Sequence, residues 1–121
     1  SNTAADLVVN NDVIGAADNG IELNNSAIVG VVDNFTTLTG GDGIHADGVA
    51  GALFANNLVT LAGDDGIDIK NGLGVIVVGN EVYGALGDDG ISLDNTIGDI
   101  VAGNTVIGTA DDGIQLTDSA L

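Results

Sequence analysis

The sequence predicts an all-β fold, a parallel β-helix of five coils of about 23 residues, because two series of residues recur along it in phase. A Gly-Ile pair recurs at spacings of 23, 23, 24 and 23, and an asparagine series accompanies it. The pairs are Gly20-Ile21, Gly43-Ile44, Gly66-Ile67, Gly90-Ile91 and Gly113-Ile114, and the asparagines are Asn11, Asn34, Asn57, Asn80 and Asn104. We predict one domain, 1–121, with coils of roughly 1–24, 25–47, 48–70, 71–94 and 95–121.

Each coil is predicted to contain three short strands. The first follows the Gly-Ile pair and alternates between apolar and polar residues, which indicates one buried and one outward face. Its predicted inward rows are Ile21, Ile44, Ile67, Ile91, Ile114 and Leu23, Ala46, Ile69, Leu93, Leu116. The second strand is rich in Val and Ile, and the third places Val13, Thr36, Val59, Val82 and Val106 inward. Thin layers of aliphatic side chains therefore form the predicted core.

The two recurring series are expected at the corners between strands. Stacked asparagine amides can donate to and accept from the coils on either side, so we predict an Asn ladder. Glycine before the first strand suits a corner that needs a positive φ or a close backbone approach.

Composition excludes several partners. Asp and Glu number 18 against one Lys and no Arg, a net charge of −17, which argues against nucleic acid and anionic membrane surfaces. No apolar stretch approaches the ~18 residues of a membrane span, so membrane insertion is not expected. Cations are the expected partners.

The repeated motif, as in Asp88-Asp89-Gly90-Ile91-Ser92-Leu93 and Gly103-Asn104-Thr105-Val106, resembles the parallel β-helix repeats of carbohydrate-active and bacterial surface proteins. The resemblance covers essentially the whole chain and implies a right-handed helix. Its members include pectate lyases, polygalacturonases, alginate epimerases, adhesins and non-enzymes, so it implies the fold and leaves the function open.

An acidic turn before the first strand is the first candidate site. Like positions in adjacent coils lie ~4.8 Å apart, where two carboxylates repel by ~0.9 kcal/mol in water and by ~3.5 kcal/mol at an effective dielectric constant of 20. Either the carboxylates point into solvent or Ca²⁺ neutralises them. The predicted calcium ligands are Asp42, Asp64, Asp65, Asp88, Asp89, Asp111 and Asp112.

The outward face of the first strand is the second candidate site. His45 is expected one rung from Asp68, and Lys70 between Asp47 and Asp94, a combination suited to general acid-base chemistry. The segment 63–72 is similar to the acidic motif of polygalacturonases, which would make Asp65, Asp68, His45 and Lys70 catalytic. That family's Gly-His-Gly and Arg-x-Lys motifs are missing, and Asp-Asp-Gly recurs in two other coils. A solvated imidazole and a Lys that neutralises two aspartates are the alternatives.

The second strand offers a third feature, an apolar outward stripe. It comprises Leu53, Ile76, Ile100, Val32, Ala55, Val78 and Ala102, and indicates either a partner surface or scattered surface aliphatics. Neither end of the sequence has a capping repeat, which predicts end-to-end stacking on copies of itself or on flanking coils.

These observations favour a non-catalytic, extracellular structural module, a calcium-stabilised and self-associating solenoid of a bacterial surface or appendage protein. The alternative is a fragment of a polysaccharide-active β-helix, a uronan lyase, epimerase or glycoside hydrolase.

Overall fold

A computed structural model describes residues 5–27 and 29–119, and its secondary structure consists of strands without any helix. The strands in chain order are β1 (Leu7–Val9), β2 (Asp12–Ile14), β3 (Ile21–Asn24), β4 (Gly30–Val32), β5 (Phe35–Thr39), β6 (Ile44–Asp47), β7 (Leu53–Ala55), β8 (Leu58–Ala62), β9 (Ile67–Lys70), β10 (Ile76–Val78), β11 (Glu81–Ala85), β12 (Ile91–Asp94), β13 (Ile100–Ala102), β14 (Thr105–Ile107) and β15 (Ile114–Thr117).

Every third strand joins the same parallel sheet, as a solenoid of five coils requires. Sheet one has the order β1-β4-β7-β10-β13, sheet two β2-β5-β8-β11-β14 and sheet three β3-β6-β9-β12-β15. The predicted all-β, five-coil parallel β-helix is therefore confirmed. Sheet three carries the predicted first strands, sheet one the second strands and sheet two the third strands.

The core consists of the predicted aliphatic stacks. Ile44, Ile67 and Ile91 pair in register in sheet three and are completely buried. In sheet two, Val59 and Val82 occupy the equivalent inward row. Because side chains alternate between the two faces of a strand, one regular spacing buries a whole row.

The Asn ladder is present over five coils, as predicted. The Nδ2 of each of the first four asparagines donates to Oδ1 of the asparagine in the next coil at 2.9–3.0 Å. The same Oδ1 accepts a backbone N–H, as when Asn57 N donates to Asn80 Oδ1 at 3.0 Å. Asn34, Asn57 and Asn80 are at most 2% exposed. A buried amide with all these partners stabilises the corner.

The glycines before sheet three are needed because the backbone of the next coil approaches them closely, which is one of the two reasons expected from the sequence. A Cβ on Gly43 would lie 2.7 Å from the carbonyl oxygen of Gly66, and one on Gly20 would lie 2.6 Å from that of Gly43. Neither has a positive φ. The left-handed corner residue stands instead just before each ladder asparagine, at Asn10, Asp33, Asn56, Gly79 and Gly103, all residue types that tolerate this conformation.

The spacing of 24 between Gly66 and Gly90 means that the chain has one extra residue there, and this residue lies at one corner. Ala85 pairs with Ala62 at a separation of 23, whereas Ile91 pairs with Ile67 at 24. The insertion therefore falls between Ala85 and Ile91, where Leu86 is 61% exposed.

Asp99 interrupts an apolar inward row of sheet one. Ile100 pairs with Ile76, which places Asp99 beside Val75. Asp99 is 3% exposed, and its carboxylate accepts hydrogen bonds from the backbone N–H of Val75 and from the hydroxyl of Thr96. The register is preserved because the buried carboxylate has these donors.

Candidate functional site

The acidic turn before sheet three forms a second ladder, made of Asp42, Asp65, Asp89 and Asp112. Each backbone N–H donates to Oδ1 of the aspartate one coil earlier, at 2.8–2.9 Å. Asn19 begins the ladder, since its Oδ1 accepts from the backbone N–H of Asp42 at 2.9 Å. The alternative that these side chains point into solvent is wrong for Asp42, Asp65 and Asp89, which are 7%, 7% and 2% exposed.

Burial changes the acidity of this ladder. Loss of hydration raises the pKa of Asp42 to about 6 and that of Asp65 to about 7, although a backbone N–H donor to each opposes the shift. Burial also raises the pKa of Asp89. Neighbouring carboxylates add to each shift because like charges disfavour ionisation. The repulsion predicted from the sequence therefore acts in a ladder where the pKa values of Asp42 and Asp65 lie near neutral pH.

Two groups of carboxylates could hold a cation beside this ladder. Asp64, Asp65 and Asp88 bring carboxylate oxygens within 4.8 Å of one another, and so do Asp88, Asp89 and Asp111. Asp88 belongs to both groups. Of the other predicted calcium ligands, Asp112 is in neither group, and Asp42 lies in a different cluster with His45 and Asp68.

That different cluster lies on the outward face of sheet three. His45 on β6 pairs in register with Asp68 on β9, one rung apart as predicted. His45 Nδ1 lies 3.0 Å from Asp68 Oδ2 and 3.3 Å from Asp42 Oδ2. We name Asp42, His45 and Asp68 the histidine cluster. It joins the acidic ladder to the sheet face, since Asp42 belongs to both.

Lys70 lies beside the histidine cluster. Its register is as predicted, with Asp47 and Asp94 as its lateral neighbours, but its Nζ contacts Asp68 Oδ2 at 3.3 Å. The negative charge of Asp68 raises the pKa of Lys70. The expectation that Lys70 neutralises Asp47 and Asp94 is thus corrected, because the described ion pair is with Asp68 on its own strand.

Asp68 is unusually enclosed for an outward-facing residue. It is 2% exposed, and its Oδ1 is buried with no hydrogen-bond partner in the part of the chain that the structure describes. The side chain of His45 is 17% exposed, so it is the most exposed side chain of the cluster. An enclosed carboxylate with one unpaired oxygen is costly unless something binds it.

Sequence reasoning found His45, Asp68 and Lys70 but did not place Asp42 beside them. The signal was available, since Asp42 precedes His45 by three residues across the corner that begins β6. Asp65 lies outside the histidine cluster, and its Oδ1 accepts the backbone N–H of Asp89.

The surface formed by residues 5–27 and 29–119 has no pocket. Across the same residues, no helix is long and apolar enough to cross a membrane.

The geometry defines a parallel β-solenoid with polar ladders at two corners. A family model described as a right-handed β-helix region matches residues 19–120, and the chain belongs to this family. The right-handed coil implied by the sequence resemblance is thereby supported. A search of curated proteins found no match.

Proposed function

We propose that this chain is a non-catalytic structural module, a self-associating solenoid of the extracellular or cell-surface type. The observation that carries the proposal is the continuity of its ladders. Amide and carboxylate stacks link neighbouring coils at two corners. Such a rod resists local opening because each coil is hydrogen-bonded to the next.

The outward face of sheet one supports self-association. The inward row of the same sheet, Val31, Phe54 and Val77, is completely buried. The residues of the apolar stripe predicted from the sequence lie next to this row along each strand. Leu53 and Ile100 are 36% and 55% exposed, whereas Ala55 is buried at 7%. An aliphatic stripe in register over adjacent coils suits another copy of the same stripe.

Association can be tested with one matched pair of variants. Ile100→Lys changes the stripe, and Ile107→Lys changes an equally exposed isoleucine on sheet two, at 55% and 58% exposure. Sedimentation across a concentration series should show association of the parent chain and of Ile107→Lys, with loss in Ile100→Lys. Parent chains that stay monomeric throughout would refute self-association through this face.

Calcium is proposed to stabilise the acidic turn. The ladder aspartates use Oδ1 for backbone donors, which leaves their second oxygens and the neighbouring carboxylates for Ca²⁺. Millimolar calcium should raise the thermal midpoint relative to EDTA. Asp88→Asn should remove most of that rise because Asp88 is shared by both groups, whereas Asp12→Asn, at an exposed site on β2, should not. A midpoint indifferent to calcium contradicts the proposal.

The second candidate is a polysaccharide-active surface, and the histidine cluster with Lys70 is what favours it. It joins an imidazole, carboxylates and one cation on the face where acid-base chemistry was predicted. We expect assays on pectate, polygalacturonate and alginate to be blank. Turnover that Asp68→Asn abolishes would replace the structural proposal with this one.

A further inference from the structure

We propose that the histidine cluster is a binding site for a first-row divalent transition metal ion, with Asp42 Oδ2, His45 Nδ1 and Asp68 as ligands. The site is distinct from the two clusters of aspartates in the acidic turn, which are Asp64, Asp65, Asp88 and Asp88, Asp89, Asp111. It is also independent of the structural role proposed above.

The distances between the ligand atoms fit one ion. Two atoms bound at about 2.1 Å to the same metal lie about 3.0 Å apart in an octahedron and about 3.4 Å apart in a tetrahedron. His45 Nδ1 lies 3.0 Å from Asp68 Oδ2 and 3.3 Å from Asp42 Oδ2. All three ligand atoms lie within 4.8 Å of one another. An ion can therefore bind with small side-chain movements.

The unpaired oxygen of Asp68 is an independent indication of a ligand. Asp68 is 2% exposed and already has Oδ2 in the cluster, while its buried Oδ1 has no hydrogen-bond partner among the described residues. A buried acceptor without a donor indicates a missing partner such as an ion. A carboxylate that binds a metal through both oxygens would satisfy it.

The donor set selects the class of metal. Imidazole nitrogen favours Zn²⁺ and its first-row neighbours, whereas Ca²⁺ and Mg²⁺ prefer oxygen ligands. Two carboxylates balance the charge of a divalent ion, and three protein ligands leave a position for water. The 17% exposed side chain of His45 leaves a route of entry.

Lys70 acts as an internal competitor at this site. Its Nζ contacts Asp68 Oδ2 at 3.3 Å, where it would be repelled by a bound cation. Its side chain is 47% exposed, and its register neighbours Asp47 and Asp94 offer alternative carboxylates. Removing the ammonium should therefore strengthen metal binding, an effect opposite to the loss of a ligand.

The test is titration of the full, tag-free chain with Zn²⁺. Calorimetry and the imidazole NMR signals monitor the titration. The chain has one histidine, so those signals belong to His45 alone. We expect one zinc ion to bind per chain, with a shift of the His45 signals that excess Ca²⁺ does not reverse. Co²⁺ should give a visible d–d absorption band.

Four variants decide the assignment. Asp68→Asn and His45→Gln should weaken zinc binding at least about tenfold, the smallest loss typical even for outer partners of a metal ligand. Lys70→Gln should tighten it, and Asp111→Asn, in the acidic turn, should leave it unchanged. Circular dichroism verifies folding, and if Asp68→Asn does not fold, His45→Gln decides.

Three results would overturn the proposal. They are no zinc binding at millimolar concentration, binding that His45→Gln leaves intact, and binding that Asp111→Asn removes instead. The last would assign the ion to the acidic turn. Failure of zinc binding would leave the association and calcium results unaffected, so the proposals fail separately.

Discussion

The amide ladder and the carboxylate ladder both bind backbone N–H groups at a corner of the coil, but they use different side chains. Both present Oδ1 to a backbone N–H of a neighbouring coil, Asn80 to Asn57 in one ladder and Asp65 to Asp89 in the other. The asparagines also donate to one another through Nδ2, but an ionised aspartate has no donor. The amide ladder is thus neutral and satisfied, whereas the carboxylate ladder accumulates charge and has raised pKa values.

The largest expected effect comes from placing a carboxylate in the amide ladder. Asn57→Asp removes the donor to Asn80 Oδ1 and Val31 O and places a charge at a site that is 1% exposed. We expect the free energy of unfolding to fall by about 3 kcal/mol at neutral pH. Urea denaturation measures it. A loss below half of that would mean that the amide donors contribute little.

The second prediction concerns pH and the carboxylate ladder. Burial raises the pKa of Asp42 to about 6 and of Asp65 to about 7 in the folded chain, above the value of about 3.9 in the unfolded chain. The folded state therefore holds more protons, and stability falls as pH rises through these values. We expect a loss on the order of 2 kcal/mol from pH 5 to pH 8, after solvent screening. Denaturation at fixed ionic strength measures it, and increased stability at pH 8 would contradict the assignment.

The third prediction replaces a carboxylate by an amide in the carboxylate ladder. Asp65→Asn keeps the acceptor for Asp89 N and removes the charge, an arrangement that Asn19 already shows in the first coil. It should stabilise the chain by about 1 kcal/mol at pH 8 and by less at pH 5, because there Asp65 is mostly protonated. Asp64→Asn, at an exposed neighbour, is the control and should have a smaller effect. Equal gains in both variants would indicate long-range charge relief.

The last prediction, with an effect no larger than that of Asp65→Asn, concerns a buried hydroxyl outside both ladders. Thr36 is completely buried in the inward row of sheet two, and its Oγ1 has no partner among the described residues. Thr36→Val keeps the shape and removes the unsatisfied group, so thermal unfolding should show a gain of about 1 kcal/mol. A destabilised variant would show that the hydroxyl has a partner after all.

Periodicity predicted the parts of the fold that repeat. The series at Asn57 and Ile67 fixed the register, and with it the pairing of His45 with Asp68. The approach of Asp42 to His45 was missed because it depends on how the chain turns before β6. Lys70 was placed between the right neighbours but pairs with Asp68, since a long side chain can choose among several carboxylates. The residues before the ladder asparagines were an unused signal, because Asn, Asp and Gly are the types that adopt positive φ.

The extra residue near Leu86 has a consequence for how such a rod can diversify. The carboxylate ladder crosses from Asp65 to Asp89 at 2.8 Å, and the amide ladder continues from Asn80 to Asn104 at 3.0 Å. Both ladders keep ordinary hydrogen-bond distances across the insertion. This corner therefore accommodates added length while the stacking of the coils is unchanged. Evolution or an engineer could therefore graft a longer loop between Ala85 and Asp88 and display it at a fixed height on an otherwise unchanged scaffold.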